Sequence, residues 1–190
     1  GPQGLRHIAQ QVHKMCCLLR QGALQLGIEA RHKHFFDTLT FDLTEKQFAS
    51  ACKRAEERRI NLRALEGNSV SVCLDETTQL KDVEDLWWVL SGNSTHKVDL
   101  KKASENSEPM ILQSCMRTSS FLQQNIFNSH QTETEFVRYV KYLENKDLSL
   151  VHSMIPLGSC TMKLNSTSSL KAASLPGFCD IHPFVPKEQA

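Results

Sequence analysis

The apolar periodicity of this chain stops at Asn93 and resumes only beyond Ser119, and no run of core-forming residues bridges the gap. Ser, Asn, Lys and Glu dominate the stretch around Pro109, which presents neither a helical nor a strand face to bury and reads as a linker. The 190 residues therefore divide into residues 1–92 and a shorter piece from 119 to 190.

In the first piece Leu5, Ile8, Val12, Met15 and Leu19 recur at spacings of three and four, which predicts a helix that Gly22 or Gly27 can end. Phe35, Phe36, Leu39 and Phe41 crowd the run from His34 to Phe41, and aromatic enrichment over so short a stretch predicts a strand. Thr44-Glu-Lys-Gln47 has the form of a capping box, in which the Thr hydroxyl accepts from the Gln47 amide while the Gln side chain reaches back. It opens a helix to about Arg58 whose stripe is Phe48, Ala51, Cys52 and Ala55. Ile60, Leu62 and Ala64, then Val70, Val72 and Leu74, keep a period of two on either side of Glu66-Gly67-Asn68-Ser69, the pattern of a hairpin. Asp75 and Glu76 with Thr77 or Thr78 are expected to open a third helix, with Val83, Leu86, Trp87 and Leu90 on one face and Ser91-Gly92 at its end. Helix, strand, helix, hairpin, helix is the order of an α+β module with helices on one face of a small antiparallel sheet.

The second piece carries another capping box, Thr132-Glu-Thr-Glu135, ahead of a helix face made by Phe136, Val140 and Leu143, and Asn145-Lys146-Asp147 ends that helix. From Val151 to Asn165 there is no clean period. A Pro and a Gly two residues apart, then Ser, Cys, Thr, Lys and Asn, describe an ordered loop rich in donors. Ile181-His-Pro-Phe-Val-Pro186 is expected to be extended, because a residue before Pro avoids the helical region.

Charge and hydropathy exclude several classes of function. The 22 Lys+Arg balance 21 Asp+Glu, and a net charge of +1 sets up no global field to draw in nucleic acid or an anionic membrane. With 40% hydrophobic residues and a mean hydropathy of -0.35 the chain is neither wholly disordered nor membrane-embedded in composition. Nowhere do about 18 apolar residues run together as a membrane span requires. Gly1-Pro2 brings neither an initiator Met nor a signal or transit sequence, so the chain reads as a piece of something longer. Seven cysteines without a C-x-x-C spacing read as reduced thiols of an intracellular protein.

Gly158 to Asn165 is where chemistry is most expected. Backbone amides around Gly158, with the side chains of Ser159, Thr161, Lys163 and Asn165, suit an anionic group such as phosphate or carboxylate. The spacing is neither that of a Walker loop nor that of a Ser-x-x-Lys pair. Cys160 as a nucleophile needs a base or cation, and His152 is the nearest His in sequence. The competing reading is a structural loop that buries Met154, Ile155, Leu157 and Met162. Arg31-His-Lys-His34, Lys53-Arg54 and Arg58-Arg59 make the first third basic, but Glu56 and Glu57 interleave, as on a solvated face rather than a nucleic-acid surface. Cys179, His182, His32 and His34 lack the two close ligand pairs of a zinc site. Trp87-Trp88 is expected to give one ring to the core and the other to a surface or partner contact.

Glu144-Asn-Lys-Asp147, the uninterrupted run from Leu148 to Asn165, and Ile181-His-Pro-Phe-Val-Pro186 together resemble the pyridoxal-phosphate-dependent glycine decarboxylases, the P-protein family of the glycine cleavage system. Phe35-Phe36-Asp37-Thr38-Leu39, Ile60-Asn61-Leu62-Arg63, Leu74-Asp75-Glu76-Thr77, Phe127-Asn128-Ser129 and Arg138-Tyr139 are similar to the same family, so the likeness spans nearly the whole chain. It implies a far longer polypeptide of two related halves, each with the aminotransferase-like fold of type I pyridoxal phosphate enzymes. On that basis residues 1–92 are the small C-terminal α+β subdomain of the first half, 93–118 the polar linker, and 119–190 the incomplete N-terminal segment of the catalytic half.

The resemblance further implies decarboxylation of glycine with transfer of the aminomethyl group to the lipoyl arm of the H-protein, an oxidoreductase acting on CH-NH2 with a disulfide acceptor. It implies a homodimer in the complete enzyme, no nucleic-acid partner, and the mitochondrial matrix as location in a eukaryote. The family's Schiff-base lysine sits in a His-Lys segment before a Gly-rich stretch; here His96-Lys97 is followed by Val-Asp-Leu, so no catalytic residue is assigned, Lys163 included. Gly158, Ser159, Cys160, Thr161, Lys163 and Asn165 carry over as one wall of the cofactor or substrate cleft. The family usually has an acidic residue where Ser169 stands and a Trp where Leu175 stands, and Leu175-Pro-Gly177 is expected to disturb a helix. The alternative function is a non-catalytic interaction module that binds the full-length enzyme or the H-protein.

Overall fold

A computed structural model describes residues 1–92, 97–147 and 166–189. The chain forms two compact units, Gly1–Phe127 and Asn128–Ala190.

The first unit opens with α1, Pro2–Gln25, whose buried face includes Val12, Cys16, Leu19 and Ala23. Gly27, at φ +76°, ends it: its amide donates to the Leu24 carbonyl and the Ile28 amide donates to the Ala23 carbonyl, the two bonds that close a Schellman turn. β1 is Thr38–Asp42, shorter than the aromatic run predicts. The Phe36 carbonyl accepts from a His13 side chain instead of a strand neighbour, so the chain from His34 to Phe36 stays outside the ladder, while the Asp37 carbonyl takes the Leu74 amide at 3.0 Å just beyond the end of β3.

α2, Glu45–Glu57, carries the capping box that the sequence predicts, with Thr44 Oγ1 accepting from the Gln47 amide at 3.3 Å and the Thr44 amide donating to Gln47 Oε1 at 3.0 Å. Its far end is a second Schellman turn, with Arg59 at φ +57° and the Ile60 amide on the Ala55 carbonyl at 2.8 Å. Ile60 is therefore the apolar plug of a helix end rather than the start of a strand. β2, Arg63–Leu65, and β3, Ser69–Cys73, form the hairpin around Gly67 and Asn68. β3 is the central strand, antiparallel to both β1 and β2. Leu39 faces Val72 and Phe41 faces Val70 in that register, and these four side chains are buried; a slip of one residue would send them to the opposite face.

α3 is Leu80–Leu90, five residues later than Asp75 would have it. Asp75 Oδ1 instead accepts from the Thr77 amide and hydroxyl and from the Thr78 hydroxyl, closing a local turn, and Asp82 takes the Gln79 amide at the true helix start. The core lies where α1, α3 and the sheet meet, with Leu19, Leu39, Phe41, Val70, Val83 and Val89 fully buried. Trp87 joins it and donates Nε1–H to the Leu19 carbonyl at 3.0 Å. Trp88 is half-buried beneath the guanidinium groups of Arg54 and Arg58, 3.7 and 4.6 Å from its ring centre.

A further helix, α4, Leu100–Glu105, lies inside the stretch that the sequence reads as linker. Asp99 caps it, Ala103 is buried, and Gln25 exchanges two hydrogen bonds with the Asp99 backbone, so the segment is fastened to α1. Six residues are too few to establish a periodicity, and a single buried Ala leaves no apolar signature.

The second unit holds α5, Glu133–Glu144, with its Thr132–Glu135 capping box formed, α6, Thr167–Ala173, and α7, Pro176–Cys179. As expected, Leu175-Pro-Gly177 does not continue the preceding helix: α6 stops at Ala173, and Pro176 opens the separate α7 from a first-turn position, where its missing N–H costs nothing. Ile181–Pro186 is not fully extended, since the Val185 amide returns to the His182 carbonyl across a turn. None of the described residues of this unit is buried, and the predicted stripe of Phe136, Val140 and Leu143 lies open at 57%, 47% and 43% exposure. The Thr132–Glu135 capping box is local, so it forms without a core beneath α5.

Candidate functional site

Gly158, Ser159, Cys160, Thr161, Lys163 and Asn165, together with His152, fall outside the described residues. What the described residues do build is a polar clasp and a cavity in the first unit, both organised by His13 of α1. Helical spacing puts Leu5, Ala9, His13 and Cys17 in one row and Arg6, Gln10 and Lys14 in the next.

His13 Nδ1 lies 2.8 Å from the Phe36 carbonyl oxygen and so carries the proton, while Nε2 accepts from the Met110 amide at 3.0 Å. The Cys17 thiol lies 3.4 Å from the same Nε2. The ring is stacked against Phe36, with centroids 5.9 Å apart and planes 5° apart. One imidazole thus ties α1 to the chain before β1 and to the chain after α4. A His beside a Cys suggests a nucleophile and its base, but this Nε2 lone pair already faces a backbone N–H. Burial pushes the Cys17 thiol up, only partly offset by the Met110 backbone and Arg20, and burial does the same to Cys16. Both thiols are packing groups, not thiolates. The sequence offered one signal for this role: a His within the apolar stripe of an otherwise amphipathic helix.

Above the clasp is a cavity of about 800 Å³ between α1 and the chain from Ser107 to Phe121. Elsewhere Arg31, Arg54 and Arg58, three of the basic residues of the first third, are engaged. Arg31 forks onto Asp42, and Ser69, 1% exposed, donates to the same carboxylate at 2.7 Å. Arg31 and Ser69 together hold the Asp42 carboxyl down to about 2. Arg58 pairs with Asp85 at 3.3 Å and lies with Arg54 on Trp88. A phosphate backbone would have to compete with these partners. Among the described residues no group of three or more His, Cys, Asp or Glu gathers as a metal site, and all six described cysteines are free.

The family profile of the glycine cleavage system P-protein matches residues 1–90. The whole chain is 44% identical to the mitochondrial glycine dehydrogenase (decarboxylating) of Mus musculus, covering 18% of that protein. It is 45% identical over its whole length to the glycine dehydrogenase (decarboxylating) of Vibrio cholerae, covering 20% of it. The chain belongs to the glycine cleavage system P-protein family. A third P-protein relative, the mitochondrial enzyme of Pisum sativum, is 42% identical, again across the whole chain. The chain spans about a fifth of the length of these curated P-proteins. The profile ends at the last residue of α3, so the part of the P-protein that it recognises coincides with α1 to α3 and the sheet. The relatives extend the likeness through α4 and the rest of the chain, the sequence around Gly158 included.

Proposed function

We propose that this chain is a segment of a glycine decarboxylase that, in the complete polypeptide, uses pyridoxal phosphate to decarboxylate glycine and passes the aminomethyl group to the lipoyl arm of the H-protein. The observation that carries the reading is identity of about 44% along the entire chain to glycine dehydrogenases from animals and bacteria alike. In this reading residues 1–92 are the small C-terminal subdomain of an aminotransferase-like first half, 93–118 connect the halves, and residues from 119 begin the catalytic half. The Gly158–Asn165 loop forms one wall of the cleft, through backbone amides and the side chains of Ser159, Thr161, Lys163 and Asn165. The mitochondrial names of the mouse, human, chicken and pea relatives support a matrix location in a eukaryote.

The residues described do not fit the covalent role toward the cofactor. A Schiff-base lysine reacts from an enclosed, desolvated position, whereas every lysine among the described residues is exposed. No step is assigned to them, and the chain by itself is proposed to be inactive. Incubation with pyridoxal phosphate, borohydride reduction and peptide mapping test this: scattered substoichiometric adducts and no CO2 from glycine are expected. Stoichiometric trapping at a single lysine, or CO2 release, overturns the proposal. The open stripe of α5 also favours a second reading, a non-catalytic module that binds the full-length enzyme or the H-protein; co-purification with either partner, lost in Phe136→Ser, distinguishes it.

A further inference from the structure

We propose that the cavity beside His13 is a binding site for an amphipathic carboxylate, an apolar chain of about ten carbons ending in a single anionic group. At about 800 Å³ the cavity has the size of a small-molecule site. Its interior is apolar, with Phe36, Ile111 and Phe121 among its walls. The one ring with polar atoms in its floor, His13, has Nδ1 on the Phe36 carbonyl and Nε2 on the Met110 amide, so a ligand meets the ring's carbon face there.

The charges are distributed differently. Arg6, Lys14 and Arg117 line the cavity and are all exposed, and among the described residues no Asp or Glu lines it. Arg6 and Arg117 come from opposite ends of the first unit's sequence, yet both guanidinium groups lie over the Phe121 ring, at 5.9 and 5.3 Å from its centre. Two planar cations on one ring define the end of the cavity that takes the carboxylate, where a guanidinium presents paired donors to both oxygens. From Arg6 to Lys14 the helix rises by about 12 Å, so the apolar row Leu5, Ala9 and His13 runs alongside for the length of a medium chain. An uncharged amphiphile would fill the same walls but leave the paired cations without a counter-charge. A cationic one would be repelled by all three.

The test is calorimetric titration of the protein with decanoate below its micellar concentration, with decanol and decyltrimethylammonium as comparisons. Saturable one-to-one binding of decanoate is expected, with decanol at least tenfold weaker and the ammonium weaker still. The double variant Arg6→Gln, Arg117→Gln, whose side chains are exposed and outside the core, is expected to lose at least tenfold for decanoate and to leave decanol binding unchanged. Ala9→Phe, which fills the apolar row, is expected to abolish binding of both while the thermal melt is retained. Equal affinity for the three amphiphiles, or a double variant that binds decanoate as the parent does, overturns the proposal. So does the absence of saturable binding, the outcome if another stretch of polypeptide already occupies the groove.

Discussion

Gly22→Ala puts the contact between α1 and α3 to a direct test, because a single methyl is the whole perturbation. A Cβ at position 22 would stand 2.1 Å from Trp87 Nε1, 2.2 Å from Cε2 and 2.7 Å from Cζ2. Carbon atoms pack at about 3.5–4.0 Å, so the edge of the indole must retreat by more than about 1 Å. Trp87 is 5% exposed and has no space to retreat into, and any retreat pulls Nε1–H off the Leu19 carbonyl. Overpacking a core costs about 1–3 kcal/mol and stranding a buried donor about 1–3 kcal/mol more. Against these, Ala in a helix interior is favoured over Gly by about 1 kcal/mol. Central values leave a net loss of about 3 kcal/mol, a fall in melting temperature on the order of 10 °C. Urea denaturation followed by tryptophan fluorescence and circular dichroism measures it. Gly4→Ala is the control: it lies in the same helix with nothing within 4 Å of an added Cβ, and its midpoint is expected to stay the same or rise slightly. A Gly22→Ala midpoint equal to or above the parent's refutes the close approach of Gly22 and Trp87, and a parallel fall in Gly4→Ala would place the effect in the helix rather than at the tryptophan.

Arg59 holds a left-handed conformation that costs an L-residue about 1–2 kcal/mol, so Arg59→Gly should stabilise the fold by about 0.5–1 kcal/mol once the extra backbone entropy of Gly is subtracted, and raise the thermal midpoint accordingly; a lower midpoint contradicts the Schellman end of α2. Removing the clasp with His13→Ala leaves the Phe36 carbonyl and the Met110 amide without their partner, a loss of about 2–4 kcal/mol, and the Met110 amide should lose its protection in hydrogen exchange; retained protection there would refute the clasp. Asp42, held down to about 2 by Arg31 and Ser69, contributes stability that is whole above the ordinary carboxyl value of about 3.9 and is lost as pH falls through about 2. The stability gap between the parent and Asp42→Asn should therefore close between about pH 4 and pH 2, and a gap that stays constant across an acid series of urea midpoints goes against the pairing.

The clearest agreement between pattern and structure is at the capping boxes. Thr44 with Gln47 and Thr132 with Glu135 each satisfy their amides within four residues, so nothing distant can override them. The hairpin about Gly67-Asn68 was equally legible, because two left-handed residues in a row fix a turn locally. Sequence misjudged the places where a local choice depended on a distant neighbour. Asp75 carries the signal of a helix start but closes a turn with Thr77 and Thr78, and Phe35-Phe36 carry that of a strand while the Phe36 carbonyl goes to His13. The cavity was invisible in the pattern, since its two guanidinium groups belong to residues 111 positions apart.

What the sequence by itself determined is the set of parts. Helical spacing specifies α1 and α3, spacing with a capping box specifies α2 and α5, the Gly67-Asn68 turn specifies the hairpin, and the long run shared with the P-proteins specifies the family. All of these are written in neighbours a few residues apart or in an unbroken string. Tertiary structure alone decided that Gly22 must have no side chain, that His13 is a fastener rather than a base, and that Gln25 and His13 fasten residues 97–111 onto α1. Each of these depends on which atoms lie within about 3 Å of each other once the core has closed. A hydrogen bond or a packing contact between residues tens of positions apart leaves no mark on the periodicity of either segment.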